Sequence, residues 1–411
     1  KIGALSEEKP QRARQLLTAG FRANGVKNKL ASKRSSKSDR MLFQLVNRAM
    51  VTCLAKPQSN VMVSLFTPCE MLHLQGLHPY SCEGFSSYLS GAMAEQPFLH
   101  QAEDTGIPNS LCSYHKVFIG AAQMGLMPKP RFILSTSLAC DANTLTFRHL
   151  AQFYDVPHFN VDIPFESSPQ AVDYVAGQLR QMGEFLTQQT GLPLDDGQLA
   201  RTVARSQRTM ALYHRGLRLR AGRQVLSDLT SELLRTAAFH FLLGTPETEA
   251  YARQLLREIT TAPPAQGKQL LWIHTTPYWV APLRHLFAQS TRVQVAACDM
   301  SYEGIVEADP TKPYEAMARR LVYSPFNGPA QRRIDRALEM AKTVGADGAV
   351  WFCHWGCKHT LGGARLGKKA LEEAGLPTLL LDGDSCDRGF GGEGQAATRM
   401  EAFLEVLEGM A

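Results

Sequence analysis

The segment Trp351–His359, which reads WFCHWGCKH, has the highest density of metal-binding residue types in this 411-residue chain. It follows an apolar run that predicts a buried strand. Ligands of open α/β sheets bind at the carboxyl ends of strands, and a thiolate there can bind iron or zinc. Cys357 is the stronger candidate, because Cys353 equally fits the strand's own core.

Two further cysteines stand next to predicted helix starts. Cys112 precedes an apolar helix predicted over Tyr114–Met124, and Cys140 lies between the strand RFILST and Asp141, which can cap the next helix. The amino end of a helix favours a thiolate or another anion. Each of these cysteines, taken alone, is equally compatible with a small core residue.

The spacing of the cysteines bears on which metal is expected. A zinc site would favour a second close pair such as CxxC, which the chain lacks, and Thr360 stands where a CxxxCxxC motif needs its third cysteine. Single cysteines brought together from several strand ends fit an iron–sulfur cluster between two lobes better. A zinc-stabilised protein whose basic arm recognises nucleic acid is the weaker alternative.

A near-match to a phosphate-binding loop is present at Gly362–Lys369, GGARLGKK. The position that needs Ser or Thr to hold Mg²⁺ is occupied by Lys369. The segment also follows a helical pattern. ATP hydrolysis by this chain is therefore not expected.

The elements that must position these residues alternate between strands and helices, which predicts an α/β fold with two doubly wound lobes. Between the lobes, long helical periodicities without strands predict a helical region. The predicted organisation is a basic N-terminal extension at 1–57, a first lobe at 58–166, the helical region at 167–262 and a second lobe at 263–411.

Charge and cysteine content limit the cellular compartment and the kind of N-terminal segment that the sequence allows. The net charge is +6, yet residues 1–58 alone carry thirteen Lys and Arg against Glu7, Glu8 and Asp39. A solvated, partly helical extension with a mobile loop at Lys27–Arg40 is expected there. Nine cysteines, an odd number, without a secretory signal pattern favour a reducing, cytoplasmic setting, and no apolar run predicts a membrane span.

Four segments, in order, resemble the 2-hydroxyacyl-CoA dehydratase / benzoyl-CoA reductase family over about residues 58–411. The most specific is the C-terminal run, with its Cys-Lys step after a buried strand, its Gly-Leu-Pro strand and its TRMEAFLEVL helix. The other three are FTPCEMLHLQG at 66–76, LCSYHKVFIGA at 111–121 and SLACDANTLTFR at 137–148.

The resemblance implies one [4Fe–4S] cluster between two Rossmann- or flavodoxin-like lobes, bound by Cys112, Cys140 and Cys357. Its fourth iron would be open. The resemblance also implies that Glu70 lines the active site and takes part in proton transfer, whereas a carboxylate in a first helical turn can equally be present because the helix dipole stabilises it.

The resemblance further implies radical elimination of water from a 2-hydroxyacyl-CoA through a ketyl. The required electron would come from an ATP-dependent activator protein, and the chain would pair with an identical or related subunit. Three alternatives stay open: an acyl-CoA reductase with the same cluster, a non-catalytic relay or scaffold subunit, and a double cubane.

Departures from the family pattern keep the ligand set open. Cys69 and Cys353 are extra thiols, and either would close the cluster as a fourth ligand. Cys82 matches one additional position of the double-cubane subgroup, but no cysteine stands at the other two. The segment HTTPYW at 274–279 lacks the family's usual glycine and cysteine.

Overall fold

The computed structural model describes residues 2–30, 36–225, 227–277, 279–301, 307–390 and 393–410. These residues form two four-stranded sheets and many helices. The strands are β1 Asn60–Val63, β2 His78–Ser81, β3 Phe132–Thr136, β4 His158–Val161, β5 Lys268–Ile273, β6 Val293–Cys298, β7 Gly348–His354 and β8 Thr378–Gly383. The predicted α/β fold is confirmed.

Helices precede, cover and connect the two sheets. Those before and within the first lobe are α1 Ile2–Glu8, α2 Pro10–Leu30, α3 Lys37–Ala55, α4 Glu70–Leu74, α5 Cys82–Gly91, α6 Gln96–Asp104, α7 Ser113–Gln123 and α8 Asp141–Tyr154. The remaining helices are α9 Pro169–Thr190, α10 Asp196–Arg220, α11 Leu229–Phe241, α12 Pro246–Thr261, α13 Ala281–Phe287, α14 Pro313–Val322, α15 Ala330–Val344, α16 Lys358–Glu373 and α17 Glu393–Gly409.

Both sheets are parallel and share one strand order. The first runs β2-β1-β3-β4 and the second β6-β5-β7-β8. The order reverses beside β1 and β3 in the first sheet and beside β5 and β7 in the second, and such a switch point is where open α/β sheets bind ligands. The inner strand β7 is largely apolar because both faces of its sheet are covered there, and each of its residues is buried.

The predicted helical region contains α9–α12, and none of the strands formed by the described residues lies among these four helices. Each begins at a residue whose side chain accepts a hydrogen bond from the first turn: Ser168, Asp195, Asp228 and Thr245. None of the described helices combines the length and the hydrophobicity needed to cross a bilayer.

The N-terminal extension is packed against the rest of the chain. Helices α2 and α3 contact each other, and α3 also contacts α11 and α12. The predicted loop at Lys27–Arg40 is wrong at both of its ends, because Lys27–Leu30 belong to α2 and Lys37–Arg40 to α3; residues 31–35 lie outside the described part. Ser36 caps α3 by accepting a hydrogen bond from the Asp39 amide, which explains why the helix begins so early.

The near-match to a phosphate loop lies inside α16, as its periodicity predicts. One of its glycines, Gly367, serves packing. A Cβ on Gly367 would overlap the indole of the buried Trp351, so glycine is required where the helix crosses the sheet.

Candidate functional site

Cys112, Cys140 and Cys357 share one structural position: each is the residue immediately before a helix. Cys112 precedes α7, Cys140 precedes α8, and Cys357 precedes α16. None uses its thiol to cap the helix, and all three are half-buried, whereas the other six cysteines are buried. Each of the three helices therefore has a thiol at its amino end, where the helix dipole favours negative charge.

The same three thiols line a single cavity of about 560 Å³. Cys140 follows β3, and Cys357 follows β7, so they occupy corresponding positions on the two sheets. The cavity thus lies where the two lobes meet, at the carboxyl ends of their strands.

Burial and mutual proximity govern the acidity of these thiols. Burial raises the pKa of Cys112 well above its ordinary value, and the neighbouring Cys357 and Cys140 raise it further. Burial, with Cys357 second, raises the pKa of Cys140 to about 12. Negative charges on these thiols repel one another, so all three ionise together only when a cation compensates them.

Two histidines contact the thiols. The Nε2 atom of His354 lies 3.2 Å from the Cys112 sulfur. The Nδ1 atom of His354 accepts a hydrogen bond from the Ser385 amide at 3.2 Å, so the ring proton is on Nε2 and points to sulfur. Nε2 of His115 lies 3.8 Å from the Cys140 sulfur, while its Nδ1 bonds with the Thr146 hydroxyl at 3.0 Å.

The loop that carries Cys357 fits tightly against Cys112. A Cβ on Gly356 would lie 2.7 Å from the Cys112 Cα and backbone nitrogen, and Gly356 has a φ of 78°. Nearby, the Ser113 hydroxyl donates to the Asp384 carboxylate at 2.5 Å. Glycine is therefore needed for the two lobes to approach at the thiols.

The extra cysteines lie elsewhere. Cys69 is buried, with its thiol 3.2 Å from the Thr67 carbonyl oxygen, and Cys353 is a buried member of β7. Cys82 is fully buried. None of the three is among the residues that line the cavity. This placement does not favour a fourth thiolate or a second cubane.

Glu70 is also outside the cavity lining. Its carboxylate is fully buried and binds the Arg320 guanidinium in a two-point ion pair at 2.6 and 3.0 Å, and it accepts from Ser206 at 2.9 Å. Burial would raise its pKa, but Arg320 outweighs burial and holds it below its ordinary value. This geometry supports a structural ion pair. Its predicted role in proton transfer gains no support from this position.

Glu83 is the carboxyl that lines the cavity, and the sequence reasoning missed it. It lies in the first turn of α5, where it accepts hydrogen bonds from the Ser81 hydroxyl at 2.7 Å and the Leu65 amide at 3.3 Å. Burial raises its pKa in spite of these bonds. Glu83 closely follows strand β2, so a correct prediction of that strand would have identified Glu83 as a residue at a strand end.

The donor set fits an iron–sulfur cluster better than a single ion. Within the described ranges, no three His, Cys, Asp or Glu side chains converge as one metal ion would require. A [4Fe–4S] cluster takes each cysteine on a different iron, so its ligands need not converge. The three thiols line one cavity, and each lies at the amino end of a helix. Two of them also contact a histidine. This arrangement suits three thiolates that bind three different irons.

Comparison with known proteins identifies a family and a relative of this chain. The family model described as "2-hydroxyglutaryl-CoA dehydratase, D-component" matches residues 64–407. The chain is 22% identical over 337 residues to the (R)-phenyllactyl-CoA dehydratase alpha subunit of Clostridium sporogenes, covering 76% of this chain and 80% of that protein. The suspected resemblance is confirmed: the chain belongs to the 2-hydroxyglutaryl-CoA dehydratase D-component family.

Proposed function

We propose that this chain is the [4Fe–4S] subunit of a 2-hydroxyacyl-CoA dehydratase-like lyase, with Cys112, Cys140 and Cys357 as the cluster ligands. The observation that carries the proposal is that the three thiols line one cavity together with a carboxyl, Glu83. Membership of an acyl-CoA dehydratase family supports the reaction class.

When bound, the cluster supplies a low-potential electron and Lewis acidity for the thioester. The reaction removes hydroxide from C2 and a proton from C3 of the acyl group, and the electron is returned, so there is no net oxidation. Glu83 is the proton-transfer residue of this proposal. Burial raises the pKa of Glu83 and so favours its protonated form, which can give a proton to the leaving hydroxyl, and the resulting carboxylate can accept one.

The polar residues around the thiols keep the site in one arrangement. His354 donates to Cys112 and is itself held by the Ser385 amide, so its ring cannot turn without losing a buried hydrogen bond. Arg333, which also lines the cavity, is fixed by the Asp299 carboxylate at 2.7 Å. The apolar remainder of the lining excludes water from the reacting groups.

The partners in this proposal are an acyl-CoA substrate, an ATP-dependent activator protein that supplies the electron, and an identical or related second subunit. A relay role would need a fourth thiolate, and Cys69 and Cys353 lie outside the cavity lining. Analysis of the product separates dehydration from reduction, because a reductase would retain the delivered electrons in its product.

The test is anaerobic purification followed by iron and sulfide counts for wild type, Cys357→Ala and Cys353→Ala. We expect about four irons in the wild type, a large loss in Cys357→Ala and no loss in Cys353→Ala, the buried control on the same segment. Iron-loaded protein is then combined with a family activator, ATP and acyl-CoA thioesters. Wild-type protein without iron, or equal iron in both variants, would overturn the ligand set.

A further inference from the structure

Helices α2 and α3, which precede the part of the chain matched by the family, form a wall of the cavity that contains the three thiols. Helix α2 contributes Leu17 and Phe21 to the lining, and α3 contributes Val46 and Met50. The family match begins at residue 64, so this wall is supplied by a segment outside it.

The wall is apolar although the segment is strongly basic. Residues 1–58 carry thirteen Lys and Arg. None of these cations is among the described lining residues, and Asn24 is the polar side chain that α2 and α3 contribute to it. The two helices therefore present mainly apolar side chains to the cavity, and their described cations lie outside its lining.

Hydrogen bonds and ring packing fix the wall in place. Asn47 donates from α3 to the Phe21 carbonyl oxygen at 3.1 Å, and the Phe21 and Tyr88 rings pack edge to face at 4.9 Å. Arg14 donates to the carbonyl oxygens of Gly125 and Leu126 at 2.8 and 3.0 Å. A rigid wall discriminates between ligands by shape and polarity, because a misfit cannot be absorbed by movement.

We infer that α2 and α3 form the acyl-specificity wall of this chain and select apolar, including aromatic, acyl groups over acyl groups that carry a carboxylate. The inference rests on the proposed function, because it takes the ligand to be an acyl-CoA. A terminal carboxylate against this wall would lose its water without gaining a cation from it, because Arg284 and Arg333, which also line the cavity, belong to α13 and α15. An alkyl or phenyl group would instead bury its surface against Leu17, Phe21, Val46 and Met50.

The test measures binding of free CoA, pentanoyl-CoA, glutaryl-CoA and 3-phenylpropanoyl-CoA to the full chain, purified anaerobically, by calorimetry. Pentanoyl-CoA and glutaryl-CoA have the same chain length and differ in the terminal carboxylate. We expect pentanoyl-CoA and 3-phenylpropanoyl-CoA to bind at least about tenfold more tightly than glutaryl-CoA.

Two variants test whether the wall formed by α2 and α3 causes this preference for apolar acyl groups. Ala49→Phe fills the cavity from α3 and should weaken 3-phenylpropanoyl-CoA about tenfold while leaving free CoA within about twofold. Phe43→Ala removes apolar surface from the wall and should weaken binding of 3-phenylpropanoyl-CoA several-fold. Ala55→Phe, at an exposed position of the same helix outside the lining, should bind as wild type does; thermal unfolding confirms that each variant folds.

Equal affinity for pentanoyl-CoA and glutaryl-CoA, or unchanged affinity for 3-phenylpropanoyl-CoA in both cavity variants, would overturn the inference and leave the proposed function intact. Failure of the proposed function has a different signature. If neither free CoA nor any thioester binds while the protein is folded, the acyl-CoA assignment falls and the specificity wall falls with it.

Discussion

Glu70 and Glu83 have different environments although both begin helices of the first lobe. Glu70 faces Arg320 in the core, and Glu83 faces the cavity. The resemblance drew attention to Glu70 because a Pro-x-Glu turn is visible in sequence. Which carboxyl reaches the cavity depends on the packing of α10 and α14 around Glu70, which no local pattern encodes.

Replacing Glu83 should affect the reaction and spare the fold. Glu83→Gln keeps the shape of the side chain and removes the transferable proton, so kcat should fall about 100-fold or more. The measurement is turnover of an acyl-CoA by iron-loaded protein, with iron content as the control. Turnover within a few-fold of the wild-type rate would remove Glu83 from the mechanism.

Replacing Glu70 should affect the fold instead. Glu70→Gln removes the buried carboxylate charge that pairs with the Arg320 guanidinium, so the free energy of unfolding should fall by about 3 kcal/mol. Urea unfolding measures this. Normal stability combined with a loss of turnover as large as that of Glu83→Gln would return the catalytic role to Glu70.

If the proposed cluster is bound, His354 should tune it through its hydrogen bond to Cys112. Such a bond withdraws charge from sulfur, so its removal in His354→Leu should make the reduction potential more negative. A potential titration followed by electron paramagnetic resonance measures the shift. His359→Leu is the control, because His359 lines the cavity but contacts the Phe326 carbonyl oxygen and Arg333 rather than a cysteine. Equal potentials in all three proteins would refute this role.

At the scale of elements, the strands and helices that present the thiols were predictable. The predicted helix Tyr114–Met124 corresponds to α7, which follows Cys112, and the predicted strand RFILST corresponds to β3, which precedes Cys140. The strand β2 was missed because His78–Ser81 is short and contains Pro79, which weakens a strand pattern. The approach of Gly356 to Cys112 could not be predicted, since it joins segments that are distant in sequence.

The Gly356 contact gives a prediction for the loop that carries Cys357. In Gly356→Ala the new methyl group would overlap the Cys112 backbone, and the left-handed conformation would cost about 1 kcal/mol more. The loop must shift, and we expect iron content below that of the wild type. Gly362→Ala in α16 is the matched control, because its Cβ would meet no atom within 4 Å. Full iron loading of Gly356→Ala would contradict this account.

At the scale of the whole molecule, the packing of the N-terminal helices was the feature furthest from prediction. Composition and charge indicated a solvated extension, and the cations do face away from the cavity. The apolar faces of α2 and α3 were present in the sequence, but their partners, such as Tyr88 and Leu234, lie in other regions. An amphipathic pattern predicts that a helix packs through its apolar face, but it does not identify the element that covers that face.

The attachment of α3 should depend on pH through Asp39. Burial, with Asp228 also contributing, outweighs Arg235 and raises the pKa of Asp39 to about 6. Because this pKa is above that of the unfolded chain, Asp39 favours the folded state at low pH, and that contribution is lost as pH rises through about 6. Asp39→Asn should therefore gain about 1–2 kcal/mol over wild type between pH 4 and pH 7. Urea unfolding at both pH values measures this; a constant difference would contradict it.

The corresponding positions of Cys140 after β3 and Cys357 after β7 have a consequence for how the protein matures. A ribosome completes the first lobe, with Cys112 and Cys140, long before it reaches Cys357. If these three residues hold the cluster, a nascent chain can offer two ligands but not three, and the third arrives when the second lobe is nearly finished. Cluster insertion then becomes a late step, because a chain that ends before β7 lacks the third ligand.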